Sequence, residues 1–196
     1  MELSALQLDA LKELINIGVG KGASLLNRML NKPIELKTIH VHIVDWHDDV
    51  LQEYQTKNAS IVHMDFNGQI NGRANLIFPN RDAIRLLGLI APWLNVDTSI
   101  SHVKKNVLTE VGNIVINGVI GSLNNVLNLH SSYTLPCYSD GALYDFFVGM
   151  GKGKFILANT QYAIEEQAIK GTLLIFLELN SFQVLGELLD NINGNA

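Results

Sequence analysis

Asp9-Ala-Leu-Lys-Glu13-Leu-Ile-Asn16-Ile17 and, later in the chain, Asn106-Val-Leu-Thr-Glu110-Val-Gly-Asn113-Ile114 carry the same two polar groups in the same apolar setting. A carboxylate three residues ahead of an amide falls on one face of a helix, because residues three and four apart are neighbours on its surface. Glu110 and Asn113 each stand 97 positions after Glu13 and Asn16. The same interval relates Leu11, Ile17, Leu26, Asn27 and Leu30 to Leu108, Ile114, Leu123, Asn124 and Leu127. Self-similarity over such a span marks duplication of one structural unit.

Working outward from the first copy, the spacing predicts an amphipathic helix over residues 4-30, with Ser4 as its N-cap. Asp9, Glu13, Asn16 and Gly20 step along its polar stripe, which continues toward Ser24 and Asn27. Gly18, Gly20 and Gly22 each cost a helix about 1 kcal/mol relative to Ala, so some element or partner is expected to approach closely there. A strand over 34-44 follows, then a polar loop through 45-58. Two further strands, 61-66 and 69-78, flank Asn67-Gly68, which reads as a two-residue hairpin turn. Pro79-Asn80 opens a helix that runs to Ile90, with Pro92 closing it.

The second half runs through the same elements: a helix from about Ser101 to Leu129, a strand at Tyr133-Tyr138, strands near 154-163 and 168-179, and a helix from Ser181 to Ile192. The expected fold is α+β: one mainly antiparallel sheet of about six strands with two long helices, related by a pseudo-two-fold axis. The chain is read as a single domain, its halves spanning about 1-95 and 96-196. Both polar stripes should then face outward.

With 196 residues, 47% hydrophobic and 17% charged, the composition is that of a folded globular protein. A net charge of −5 with no basic run argues against nucleic acid or anionic lipid as partner. No secretory leader is evident, and Thr172-Leu177 is too short to span a bilayer. The single cysteine, Cys137, cannot form an internal disulfide. Together these point to a cytoplasmic protein without membrane insertion.

Other motifs weigh less. Gly18-Val-Gly20-Lys-Gly22 and Gly149-Met-Gly-Lys-Gly-Lys154 lack the spacing of phosphate-cradling loops. His40, His42, Asp45, His47, Asp48 and Asp49 match no standard zinc pattern, so a polar strand end is preferred to a metal site. Cys137 reads as a small half-buried residue, with no base patterned beside it.

The repeated Glu-x2-Asn pair in two long helices resembles the signature of the CheC, CheX and FliY group of chemotaxis phosphatases. That signature places Asp or Ser ahead of the Glu and a Pro well after the Asn. Asp9, Glu13 and Asn16 match in the first copy, where Ile39 takes the Pro position. Glu110, Asn113 and Pro136 match in the second, where Asn106 takes the Asp or Ser position. Two copies and no additional flagellar-switch domain make the chain most similar to CheC.

The resemblance implies a phosphatase acting on the aspartyl phosphate of a CheY-like response regulator, with no cofactor of its own and magnesium supplied by the regulator's acidic pocket. It implies that Asn16 and Asn113 hold the attacking water and that Glu13 and Glu110 anchor the partner. Asp9, Gly20, Asn106 and Asn117 would border the contact. An amide can both accept from and donate to water, and a loose phosphoryl-transfer transition state hardly needs a strong base. The alternative is a non-enzymatic adaptor that uses the same faces to bind a response regulator or a CheD-like deamidase. A paralogue with a changed ligand is a third reading, suggested by Ile39 and Asn106.

Overall fold

A computed structural model describes residues 2-30, 33-45, 58-91, 100-142, 153-164 and 167-194. In chain order the elements are α1 (Ala5–Leu30), β1 (Ile34–Val44), β2 (Asn58–Gly68), β3 (Gly72–Pro79), α2 (Asn80–Ile90) and α3 (Ile100–Leu127), then β4 (Ser131–Tyr133), β5 (Cys137–Ala142), β6 (Gly153–Ile164), β7 (Gln167–Glu178) and α4 (Leu179–Gly194). The architecture is α+β, as the duplicated pattern predicted.

α1 starts on a reciprocal cap. The Gln7 N–H donates to Ser4 Oγ at 3.2 Å, and the Ser4 N–H donates to Gln7 Oε1 at 2.7 Å. Two of the helix's orphan donors are thereby satisfied, which stabilises by about 1 kcal/mol. The amide of Gln7 also donates to Gly186 O and Asp190 Oδ1, tying this end to α4. At the far end of α3, Asn128 takes a positive φ of 52°, and the Leu129 N–H reaches back to Asn124 O, so an asparagine serves the C-terminal turn where glycine is more usual.

The sheet has seven strands in the order β1-β6-β7-β3-β2-β4, with β5 also on β2, and its pairings are all antiparallel. Each half contributes a hairpin, β2–β3 and β6–β7, and the hairpins meet through β3 and β7 at the centre. The first strand of each half crosses to the other half's hairpin: β1 lies on β6, while β4 and β5 lie on β2. The halves therefore exchange their edge strands.

Two local expectations are corrected. β2 and β3 pair from Ala59↔Pro79 to Phe66↔Gly72, so residues 67-71 form the connection and Asn67-Gly68 is not a two-residue turn. Asn67 and Gly68 instead continue β2 and pair with Ser132 and Ser131. Asn128 is the one non-glycine residue with positive φ among the described residues, so Asn67 lacks the backbone that such a turn requires. Glycine at 68 answers to a different demand, since a Cβ there would run into the carbonyl of His130.

The strand expected at Tyr133-Tyr138 is likewise broken into β4 and β5, with Pro136 in the gap. Proline has no N–H to give a ladder. At the equivalent place in β1 the register slips between Thr38 and His40, which leaves Ile39 at the irregularity. Both edge strands are thus interrupted at the duplicated position, with or without proline.

The main core lies between one face of the sheet and the helices. Leu11, Leu14, Ile15, Val19 and Leu26 of α1 and Leu108, Val111, Val115, Ile116 and Val119 of α3 meet Val62, Met64, Phe66, Leu76, Leu173 and Ile175 from the strands. Fully burying each such side chain stabilises by about 1.5–3 kcal/mol before entropy is counted. The opposite sheet face buries Val44, Ala59, Ile61, Ile77, Phe155, Leu157, Leu174 and Phe176.

Candidate functional site

α1 and α3 pass each other in opposite directions. A Cβ at Gly18 would collide with the backbone of Val119 and Gly118, and one at Gly22 would stand 3.3 Å from Val115 Cα. A Cβ at Gly118 would come within 2.7 Å of Gly18 O. The close approach expected of the glycine stripe is therefore internal at Gly18 and Gly22, where the helices touch backbone to backbone. Gly20 alone of the three points away, with nothing within 4 Å of its missing Cβ.

With their apolar faces on the sheet, both helices turn their polar stripes to the same outer side. Asp9, Glu13 and Gly20 are exposed on α1, and Asn106, Glu110 and Asn117 are exposed on α3. Asn16 and Asn113 are both half-buried at the base of their stripes. Each site is therefore a projecting carboxylate one turn from a recessed amide, with Ile17 or Ile114 following it. From the Gly18–Val119 and Gly22–Val115 levels, Asn113 lies level with residue 24 of α1. The two amides are then about 12 Å apart along the helix direction.

Among the described residues the sites differ in a hydrogen bond to the second amide. Asn117 Nδ2 donates to Asn113 Oδ1 at 2.7 Å, whereas the position equivalent to Asn117 in α1 is Gly20. Further along the stripe, the duplicated asparagine Asn124 is buried and hydrogen-bonds Tyr133 Oη and Ser131 Oγ, fixing the turn from α3 into β4. The identity of Asn27 and Asn124 was visible in the sequence, but its structural use was not.

Other polar groups gather elsewhere. Arg73 holds Asp65 through two hydrogen bonds, at 2.5 and 3.0 Å, and this bond, with the guanidinium charge, keeps the carboxyl below its ordinary value. His63, on the same sheet face, is pushed down by burial and then by the Arg73 charge. Asp140 takes Ser60, Lys104 and Tyr138 as partners and so ties β5 to α3 and β2.

His40 and His42 sit with ring centroids 5.9 Å apart, and Asp45 pairs with Lys154 at 2.6 Å. His47, Asp48 and Asp49 lie outside the described residues, as do Pro92 and the Gly149-Gly151 segment. Among the described residues no group of three His, Cys, Asp or Glu is placed to hold a metal ion. Cys137, expected to be half-buried, is exposed at the start of β5. No described helix is long and apolar enough to cross a membrane.

No protein-family model matches the chain. Among solved structures, it is similar to FliY from Thermotoga maritima, with a TM-score of 0.78 at 16% identity, covering 97% of this chain and 99% of that one. It is similar to the FliG–FliM complex structure from H. pylori, with a TM-score of 0.68 at 13% identity over 94% and 100% of the chains. A CheX–CheY–BeF3–Mg2+ complex from Borrelia burgdorferi matches with a TM-score of 0.53 at 13% identity over 85% and 99%. The chain has the CheC/CheX/FliY type of fold.

Proposed function

We propose that the protein is a phosphatase acting on the aspartyl phosphate of a CheY-like response regulator in the cytoplasm. The observation that carries this reading is the twice-built pair: an exposed Glu and a half-buried Asn, one turn apart, on the outward faces of α1 and α3. The regulator docks against this outer side, and Glu13 or Glu110 pairs with one of its cationic side chains, which sets the register.

Asn16 or Asn113 then reaches the acyl phosphate and holds a water in line with the phosphorus. The water oxygen bonds to phosphorus as the bond to the aspartyl oxygen breaks. The electron pair of that bond returns to the regulator's carboxylate, and the water's proton leaves with inorganic phosphate. The regulator's own acidic pocket supplies the magnesium, and this chain brings no cofactor. Asp9, Gly20 and Asn106 border the contact.

The likeness to CheX supports the enzymatic reading, since the matched CheX structure is a complex with CheY. The likeness to FliM favours a second reading, an adaptor without turnover, because that match is to an assembly with FliG. On this second reading the outer faces bind a response regulator, a flagellar-switch protein or a CheD-like deamidase.

The deciding measurement is phosphoryl loss from a phosphorylated regulator. The wild-type protein should shorten the phosphoryl lifetime, each single change, Asn16→Ala or Asn113→Ala, should remove one site's share, and the double variant should be slower by about 100-fold. A regulator that binds with its lifetime unchanged would establish the adaptor instead.

A further inference from the structure

Besides the Asp9/Asn106 difference, the two sites are unequal one turn beyond the amide. On α3, Asn117 stands one turn beyond Asn113, and its Nδ2 donates to Asn113 Oδ1 at 2.7 Å. On α1 the same place is Gly20, exposed and with nothing within 4 Å of where a Cβ would stand. Asn113 therefore has a neighbour that fixes its side chain, and the neighbour of Asn16 at that position has no side chain at all.

From this difference we propose that Asn117 is a positioning residue of the second site, holding the Asn113 amide ready for the attacking water before the regulator arrives. The proposal rests on the phosphatase reading given above. An amide oxygen has two lone pairs, so one can take the bond from Asn117 while the other accepts from water. The bond fixes the plane of the amide, and the Nδ2 hydrogens of Asn113 stay free to meet phosphate oxygens. Ordering a side chain costs free energy whenever it occurs, and a group ordered in the free protein does not meet that cost in the transition state. Asn16 has no such neighbour among the described residues, so its ordering falls to the regulator. Asn117 thus acts through Asn113, in place of the bordering contact first expected of it.

The test isolates each site. In an Asn16→Ala background, which leaves only the second site, Asn117→Gly should lower kcat about fivefold and leave KM for the phosphorylated regulator within about twofold. Asn117→Leu stays close in size and neutral but has no N–H to give, and should lower kcat by a similar factor. In an Asn113→Ala background, Gly20→Asn should raise first-site kcat. A kcat unmoved by Asn117→Gly, or a change confined to KM, overturns the proposal, since a mere contact with the partner would act on KM.

NMR relaxation of the side-chain amides in the full chain provides a readout independent of turnover. Asn113 should be more ordered than Asn16 in the wild type and lose that order in Asn117→Gly; equal order in the two overturns the proposal. If the wild type leaves the regulator's phosphoryl lifetime unchanged, the phosphatase reading falls on its own, and the NMR comparison still decides whether Asn117 holds Asn113.

Discussion

Glu13 and Glu110 are exposed, each stands one turn ahead of its amide, and neither forms an ion pair among the described residues, so each can meet a partner's cation. Reversing the charge should therefore weaken docking more than chemistry. Glu13→Lys with Glu110→Lys should raise KM for the phosphorylated regulator about tenfold and change kcat little, a split that steady-state phosphate release can resolve. His63 and Asp65, on the sheet, give stability a pH dependence. Burial and the Arg73 charge hold His63 below its ordinary value of 6.5, so the unfolded chain takes up this proton at a higher pH than the folded one. Stability should fall as pH drops through 6.5 toward the folded value. Asp65 is held below its ordinary value of 3.8 by Arg73; its contribution is complete above that value and lost as pH falls through the folded one. Denaturant titrations across pH should show two steps, and His63→Gln should flatten the upper one while sparing the lower.

Helices and strands differ in how much of them could be read in advance. The strand over 34-44 and the helix ending at residue 30 agree with β1 and α1, because alternation and the 3.6-residue period report directly on which face is buried. Asn67-Gly68 misled because its local preference was overridden by β4, a segment more than sixty residues away that added to the end of β2. The glycines of α1 announced a close approach without saying on which side, and two of the three turned inward to α3. Gly18→Val should therefore destabilise by about 2–3 kcal/mol, since the new side chain meets backbone that cannot swing aside. Gly20→Ala, with open space around it, should stabilise by up to about 1 kcal/mol. Chemical denaturation of the two variants checks both signs.

Across the whole molecule, the duplication and the outward-facing pairs were legible, whereas the exchange of edge strands was not. A strand alternates in the same way whichever hairpin it joins, so periodicity carries no information about which half receives it. The exchange has a measurable result. Residues 1-95 alone would leave β1 without β6 and β2 without β4 and β5, so this fragment should be unfolded by circular dichroism and regain structure only when mixed with residues 96-196.

The crossing of α1 and α3 also bears on which halves can pair. Val115 and Val119 are the counterparts of Gly18 and Gly22 at the same interval of 97, and each glycine rests against the valine that corresponds to the other one. A chain made of two first halves would set glycine against glycine and leave a void where methyl groups belong. One made of two second halves would drive valine into valine. Neither half can serve as its own mate, so two copies of the chain gain nothing at this seam by trading halves of the same kind, and the duplication has become a pair of parts that fit only each other.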